Sequence, residues 1–405
     1  MQHLDRYEEA EAAYRQAIAL DPKSAYPWYS LGNLLMGHLD RYEEAEAAYR
    51  KAIELDPKDA YPWNDLGDLL TNHLDRHEEA EAAYRRAIAL DPKSAYPWYN
   101  LGNLLANHLD RYEEAESAYR KAIELAPKYA APWKNLGTLL MVCLNRYEEA
   151  EAAYRKAIEL DPEDTNSWIG LGNLFMQHLN RYEEAEAAYR QAIALDPKDA
   201  YPWYNLGNLL TNHLNRYEKA EAAFRKAIEL DPKFAYPWID LGLLHRSLHR
   251  DCEEALHCFT EGLTKTEPDS LAAAYLRMNL GWLELIRGRS EQARKSLRRA
   301  LDLFDRQPGF QANALVVGRG AGGTDRPRER PAPGIGGGIG PHPGIDHNTG
   351  GTPYPAGSGG IGAGPEIRCR RVSIHRFAGR GGGGRESVAG DPGPARDPSG
   401  PFRLH

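Results

Sequence analysis

The 405-residue chain has only four cysteines, Cys143, Cys252, Cys258 and Cys369, and no two of them are spaced as a CxxC pair. That excludes a disulfide scaffold and a zinc site built on such pairs. No apolar run approaches the ~20 residues of a membrane-spanning helix. The opening residues, Met-Gln-His-Leu-Asp-Arg-Tyr-Glu-Glu, lack the apolar stretch of a signal peptide. No phosphate-binding glycine loop, Ser-His-Asp set or paired-carboxylate cleft is legible, because the many glutamates fall on the outer faces of helices. The expectation is a soluble, cytoplasmic chain that is not an enzyme, needs no cofactor and no metal, and takes no small-molecule substrate.

Lysine is missing altogether from residues 318–405, which contain 25 of the 38 glycines, 12 of the 27 prolines, 12 arginines and 7 acids, a net charge of +5. Residues 1–317 carry 38 basic and 51 acidic residues, a net charge of −13. An acidic body argues against nucleic acid and for a neutral or basic partner.

What the body does contain is a repeat. Tryptophan falls at 28, 63, 98, 133, 168, 203 and 238, an interval of 35 residues every time. Leu-Gly follows each at a fixed offset, from Leu31-Gly32 to Leu241-Gly242, and a proline closes each unit, from Pro22 to Pro232. The string RYEEAEAAYR recurs unchanged at 6–15, 41–50, 146–155 and 181–190.

Each unit reads as two helices. In residues 24–56, Ser24 is the expected N-cap and Pro27 sits in the first turn, where a missing N–H costs little. Trp28, Leu31, Gly32 and Leu35 lie at i, i+3, i+4 and i+7, one apolar helical face. Asp40-Arg41-Tyr42-Glu43 fits a capping box opening a second helix, with Asp40 expected to cap it. The buried face of that helix is Tyr42, Ala45, Tyr49, Ala52 and Ile53; small Ala45 and Ala52 opposite Gly32 allow close approach. Leu55-Asp56-Pro57 ends it. Glu46 and Arg50 form an i, i+4 pair on a solvated face, worth roughly 0.2–0.5 kcal/mol.

This Trp, Leu-Gly, Ala, Tyr, Ala and Pro pattern resembles the tetratricopeptide repeat over roughly residues 1–306, with one residue more per unit than the usual 34. The extra residue, at Gly37-His38-Leu39 and its equivalents, is expected to lengthen the end of the first helix or its turn. The resemblance implies an all-α, right-handed solenoid whose first helices line a concave groove. Residues 1–23 read as an orphan second helix, 24–266 as repeats, 267–307 as a degenerate C-terminal capping repeat and 308–405 as a disordered, low-complexity tail. Because the chain opens in mid-repeat, Met1 reads as an internal methionine of a longer array.

The resemblance places ladders of tyrosine and amide side chains in the groove. The residues expected there are Tyr61, Asn64, Tyr96, Tyr99, Asn100, Asn103, Lys134, Asn135, Asn173, Tyr201, Tyr204, Asn205 and Asn208. Amides donate to and accept from a peptide backbone together, and tyrosine adds rigid contact area with a polar tip. Asn100, Asn135 and Asn205 are similar to the asparagine ladder of the O-GlcNAc transferase superhelix; Ser30, Asp65, Gly170 and Asp240 interrupt it. The other reading of these ladders is that they bond neighbouring repeats to one another. With Lys134 as the single groove cation, a carboxylate clamp for a chaperone tail is rejected.

His38, His73, His108, His178 and His213 form a further ladder, interrupted by Cys143. Equivalent positions in stacked repeats lie about 8–10 Å apart, whereas zinc-bound nitrogens all lie ~2 Å from one ion, so these read as turn histidines.

The tail supports two readings: a genuine disordered segment, or the product of a frameshift near 308–318, since its residues are those of GC-rich codons. The function expected is a protein-interaction scaffold binding an extended peptide or partner protein. The alternatives are a substrate-recruiting arm of a larger enzyme, such as a transferase, and RNA binding through Arg319, Arg380 and the glycines around them.

Overall fold

The computed structural model describes residues 2–249 and 251–306. The expectations for 308–405, a disordered tail or a frameshifted one, lie outside the described residues.

Helix α1 (Gln2–Leu20) stands alone, and α2 (Ala25–His38) and α3 (Tyr42–Leu55) form the first complete pair. Five more pairs follow at the 35-residue interval: α4 (Tyr61–Asn72) with α5 (His77–Leu90), α6 (Tyr96–Asn107) with α7 (Tyr112–Leu125), α8 (Ala130–Val142) with α9 (Tyr147–Leu160), α10 (Thr165–Leu174) with α11 (Tyr182–Leu195), and α12 (Ala200–Asn212) with α13 (Tyr217–Leu230). The array ends in α14 (Ala235–Leu244) with α15 (Cys252–Lys265) and α16 (Leu271–Ile286) with α17 (Ser290–Asp305). There is no strand among the described residues. Each second helix packs on its own first helix and on the next one, and first helices also touch one another, α2 with α4, α4 with α6, α6 with α8 and α12 with α14. First helices therefore line one face of an α-solenoid.

The interior of each unit is a ring lying on a glycine. A Cβ added to Gly32 would stand 2.6 Å from Tyr49 Cε1, and one added to Gly102 would stand 2.6 Å from Tyr119 Cε1. Tyr49, Tyr84, Tyr119, Tyr154 and Tyr189 are fully buried, as is Phe224 in the same place. The glycine thus admits an aromatic ring, where the sequence alone suggested close backbone approach. In the orphan helix the equivalent Tyr14 is only partly covered.

The extra residue widens the turn between the two helices. The Arg41 N–H donates to the Leu35 carbonyl, and the same bond runs from Arg76 to Leu70, Arg111 to Leu105 and Arg181 to Phe175. This closure is one residue wider than the common 6→1 helix ending. In two units it takes the form of π-helical turns, Phe175–Leu179 and His245–His249. The residue just before the closing N–H turns left-handed: Asp40, Asp75, Asp110, Asn145, Asn180 and Asn215 have φ of 51–55°. Asp and Asn tolerate that conformation better than most. The expected capping box is therefore absent. Asp40 ends the first helix, Arg41 is the N-cap of α3 without a side-chain cap bond, and Asp40 Oδ1 instead accepts from the Tyr42 hydroxyl at 2.9 Å. Ser24 likewise makes no side-chain cap bond; the side chains that do cap include Asp164, Asp199, Asp251 and Ser270.

The histidine ladder stacks repeats together. His38 lies 4.3 Å from Tyr7, His73 4.1 Å from Tyr42, His178 4.3 Å from Tyr147 and His213 4.3 Å from Tyr182, centroid to centroid. One stack departs: His77 stands where the others have tyrosine, tilted 35° to His108, with its Nδ1 buried and unpartnered. Replacing His77 with tyrosine restores a hydroxyl that can bond Asp75 as Tyr42 bonds Asp40. The expected gain is about 1 kcal/mol, read as slower amide hydrogen exchange across α4–α6; unchanged or faster exchange would contradict it.

The Glu46–Arg50 pair is not isolated on a solvated face. Glu46 also receives Arg76 of the next unit at 2.8 Å, and Glu79 receives both Arg76 at 2.7 Å and Arg50 at 3.2 Å. The same four-charge square joins Glu11, Arg15, Arg41 and Glu44, and again Glu116, Arg120, Arg146 and Glu149. It is incomplete toward the C-terminal end of the array: Lys219 replaces the second glutamate, so that Arg190 and Arg216 share Glu186, and at the next seam Asp251 replaces the second arginine, so that the one arginine Arg225 serves Glu221 and Glu254.

Candidate functional site

The first-helix face begins with tyrosines at the first or second residue of α2, α4, α6, α12 and α14; α8 has Ala131 and α10 Asn166 in that place. Tyr26, Tyr61 and Tyr96 are 72, 69 and 61% exposed; Tyr201 and Tyr236, at the same position further on, are half-buried. One turn along, the side chains sink into a polar floor that joins the repeats.

Two spacings organise that floor. At i, i+36, the residue three after the ladder tyrosine meets the residue before Leu-Gly in the next unit. The Tyr29 hydroxyl donates to Asp65 at 2.8 Å, Asn100 Nδ2 to Asn64 Oδ1 at 3.2 Å, and Asn135 Nδ2 to the Tyr99 hydroxyl at 3.2 Å. Tyr204 hydrogen-bonds Asp240 in the same register. At i, i+32, Asn135 donates to Asn103 Oδ1 at 2.8 Å and Asn205 to Asn173 Oδ1 at 3.3 Å, while Asn208 bonds Asp240. Within three of the units, the asparagine after Leu-Gly also accepts the buried ring hydroxyl: Tyr49 to Asn33, Tyr119 to Asn103 and Tyr189 to Asn173, at 2.7–2.8 Å.

The thirteen residues singled out by sequence therefore fall into two sets. Tyr61 and Tyr96 are exposed, and Asn64, Asn100, Lys134, Asn173, Tyr201 and Asn208 are half-buried at the surface of the floor. Tyr99, Asn103, Asn135, Tyr204 and Asn205 are buried, with amides bonding between repeats. Lys134 faces Gly170 in the i, i+36 register and reaches Asp164 at 3.3 Å instead.

Carboxylates missed as a set by sequence reasoning shape the electrostatics. Desolvation pushes Asp68 and Asp240 up to about 7, against the hydrogen bonds from Tyr84 and from Tyr204 and Asn208 that favour their charged forms. Asp65 is also raised, first by burial. The signal was available: Asp65, Asp68 and Asp240 stand in columns otherwise occupied mainly by amides.

Aromatic side chains gather at two places on this face. Tyr96, Tyr99 and Tyr129 meet with centroids 5.3 Å apart for both Tyr96–Tyr129 and Tyr99–Tyr129. Three repeats on, Tyr204 and Phe234 stand 5.0 Å apart, Phe234 and Tyr236 6.1 Å, and Tyr201 and Phe234 6.4 Å. Tyr129 and Phe234 occupy a position that is Ser or Asp in the other units, from Ser24 to Asp199.

Among the described residues, no group of three or more His, Cys, Asp and Glu side chains could hold a metal ion, and no helix is long and apolar enough to cross a membrane.

Comparison with known proteins bears on the same residues. A tetratricopeptide repeat family model matches residues 4–60, 144–200, 177–233 and 239–308, more than half of the chain. Related repeat models match 94–163, 74–108 and 48–82. No curated protein matches. Among solved structures, YrrB, described as a TPR protein with an unusual peptide-binding site, is 28% identical over 47% of this chain and 96% of its own, with a TM-score of 0.40. PilF of Pseudomonas aeruginosa is 23% identical over 56% of this chain and 94% of its own (TM-score 0.44). Yeast Tom70 is 20% identical over 72% of this chain and 62% of its own (TM-score 0.49). With the 35-residue period and the paired helices, the family match makes this chain a member of the tetratricopeptide repeat family.

Proposed function

We propose that the protein is an interaction scaffold whose first-helix groove holds an extended peptide or an extended segment of a partner protein. The observation that supports this most is the row of exposed tyrosines, Tyr26, Tyr61 and Tyr96, standing in register above a hydrogen-bonded polar floor. Aligned apolar area of this kind is uncommon on a surface with nothing to bind, and tyrosine offers contact at low entropic cost. Asn64, Asn100, Lys134, Asn173, Tyr201 and Asn208 are placed to meet the peptide backbone. Buried Tyr99, Asn103, Asn135, Tyr204 and Asn205 hold the floor in register and act on the peptide through it. The reading includes no catalysis, cofactor, nucleic acid or membrane.

The test is capture of a random-sequence decapeptide pool by the full chain. The Tyr61→Ala, Tyr96→Ala double variant removes exposed rings only, so its helicity is expected to be unchanged while capture falls about tenfold, two contacts of roughly 0.7 kcal/mol each. Capture equal to that of the unaltered chain would refute the groove as the site.

A further inference from the structure

The two aromatic clusters differ most in the charge of the group that the inner tyrosine bonds, and that decides what each can hold. In both, a ladder tyrosine (Tyr96 or Tyr201) and the tyrosine three residues on (Tyr99 or Tyr204) converge on a ring from the following helix start, Tyr129 or Phe234. In both, the inner tyrosine bonds the residue 36 positions on. For Tyr99 that residue is Asn135, a neutral amide; for Tyr204 it is Asp240, a carboxylate. Tyr236 adds a fourth ring to the second cluster, 6.3 Å from Tyr204.

We infer that the cluster of Tyr201, Tyr204, Phe234, Tyr236 and Asp240 receives an arginine side chain of the bound peptide, whereas the Tyr96, Tyr99 and Tyr129 cluster receives a neutral one. This rests on the groove reading above. Ring faces attract a cation, and a guanidinium can stack on one while its N–H fork meets a carboxylate. Asp240 accepts from Tyr204 and Asn208, and a carboxylate has about four acceptor sites, so capacity remains for that fork. No basic side chain of the described residues is paired with Asp240 in the structure, and Lys134, the cation on the first-helix face three repeats earlier, is paired with Asp164. A half-buried carboxylate without a cation among rings is complementary to an incoming one. The neutral cluster lacks that charge because Asn135 fills its place, and its amide is already committed to Tyr99 and Asn103. A peptide would thus be read for charge at one point and for its absence three repeats away, which also fixes its direction in the groove.

Two measurements at pH 8, where Asp240 is a carboxylate, separate this inference from the groove reading. In the first, the chain carries 4-fluorophenylalanine, and the Phe234 fluorine signal, assigned with Phe234→Leu, is followed on adding N-acetylarginine amide or N-acetylcitrulline amide. The arginine compound is expected to shift it and the neutral isostere to leave it in place, with the response lost in Asp240→Asn. In the second, decapeptide pools with one fixed arginine or one fixed citrulline compete for the full chain. The arginine pool is expected to bind about tenfold more tightly, within twofold in Asp240→Asn, and Asn135→Asp is expected to increase the preference. Equal binding of the two pools, with no fluorine shift, overturns the inference while leaving the groove intact. A fluorine shift confined to arginine with neither pool captured supports the arginine site and removes the groove reading. Silence in both measurements removes both.

Discussion

Replacing Asp68 with asparagine is expected to stabilise the protein by about 2–4 kcal/mol at pH 8 and by almost nothing at pH 4. Desolvation, aided by the charge of Asp65, raises the Asp68 carboxyl from its ordinary 3.8 to about 7. Below pH ~4 the group is protonated folded or unfolded and contributes no pH dependence. Between ~4 and 7 the folded state binds the proton that the unfolded state has released, so stability falls as the pH rises. Above 7 the penalty is complete, about 1.36 kcal/mol for each unit of displacement, and it is lowered here because the side chain keeps some access to water. Asparagine removes the titration and retains the acceptor, as Asn103 shows by accepting from Tyr119 at 2.8 Å where Asp68 accepts from Tyr84 at 2.6 Å. Urea unfolding of both proteins at the two pH values decides the matter. An equal difference at pH 4 and pH 8 would mean that the proton is not its source.

The second large effect comes from two glycines of opposite sign. Gly102→Ala drives a Cβ to 2.6 Å from Tyr119 Cε1 and 2.7 Å from Cδ1. Tyr119 is fully buried and tied at its hydroxyl to Asn103, so neither ring nor helix can yield cheaply. Overpacking of this kind costs about 1–3 kcal/mol, and the better helix propensity of alanine returns up to ~1 kcal/mol without reversing the sign. Gly37→Ala, on α2 with nothing within 4 Å of the new methyl, has propensity alone and should stabilise by about 0.5–1 kcal/mol. Urea midpoints moving in the same direction for both would show that the ring contact does not set the first result.

The register of the fold was readable because a 35-residue interval survives every local irregularity and because helix faces have a short period. The contacts that bind one unit to the next were not, since they run at i, i+36, i+32 and i+30 and depend on how far each repeat rotates. Asn100, Asn135 and Asn205 look alike in sequence. Yet Asn100 stays at the surface and bonds Asn64, while Asn135 and Asn205 are buried against Asn103 and Asn173. Asp40 looked like a cap for the reason that Asp-Arg-Tyr-Glu is a sound capping pattern; the extra residue upstream took precedence and turned it left-handed. The Gly32–Tyr49 contact escaped notice because glycine records only that space is needed, not which side chain fills it.

The square of charges missing at Lys219 has a mechanical consequence. From α1 to α11, each seam between second helices is riveted on its outer edge by two arginines and two glutamates, and such bonds, each worth up to ~1 kcal/mol, resist a splaying motion in which the edge opens. Between α11 and α13, and again between α13 and α15, that edge keeps two of its four arginine–glutamate bonds. Under tension along the array, these two seams are expected to open before those from α1 to α11.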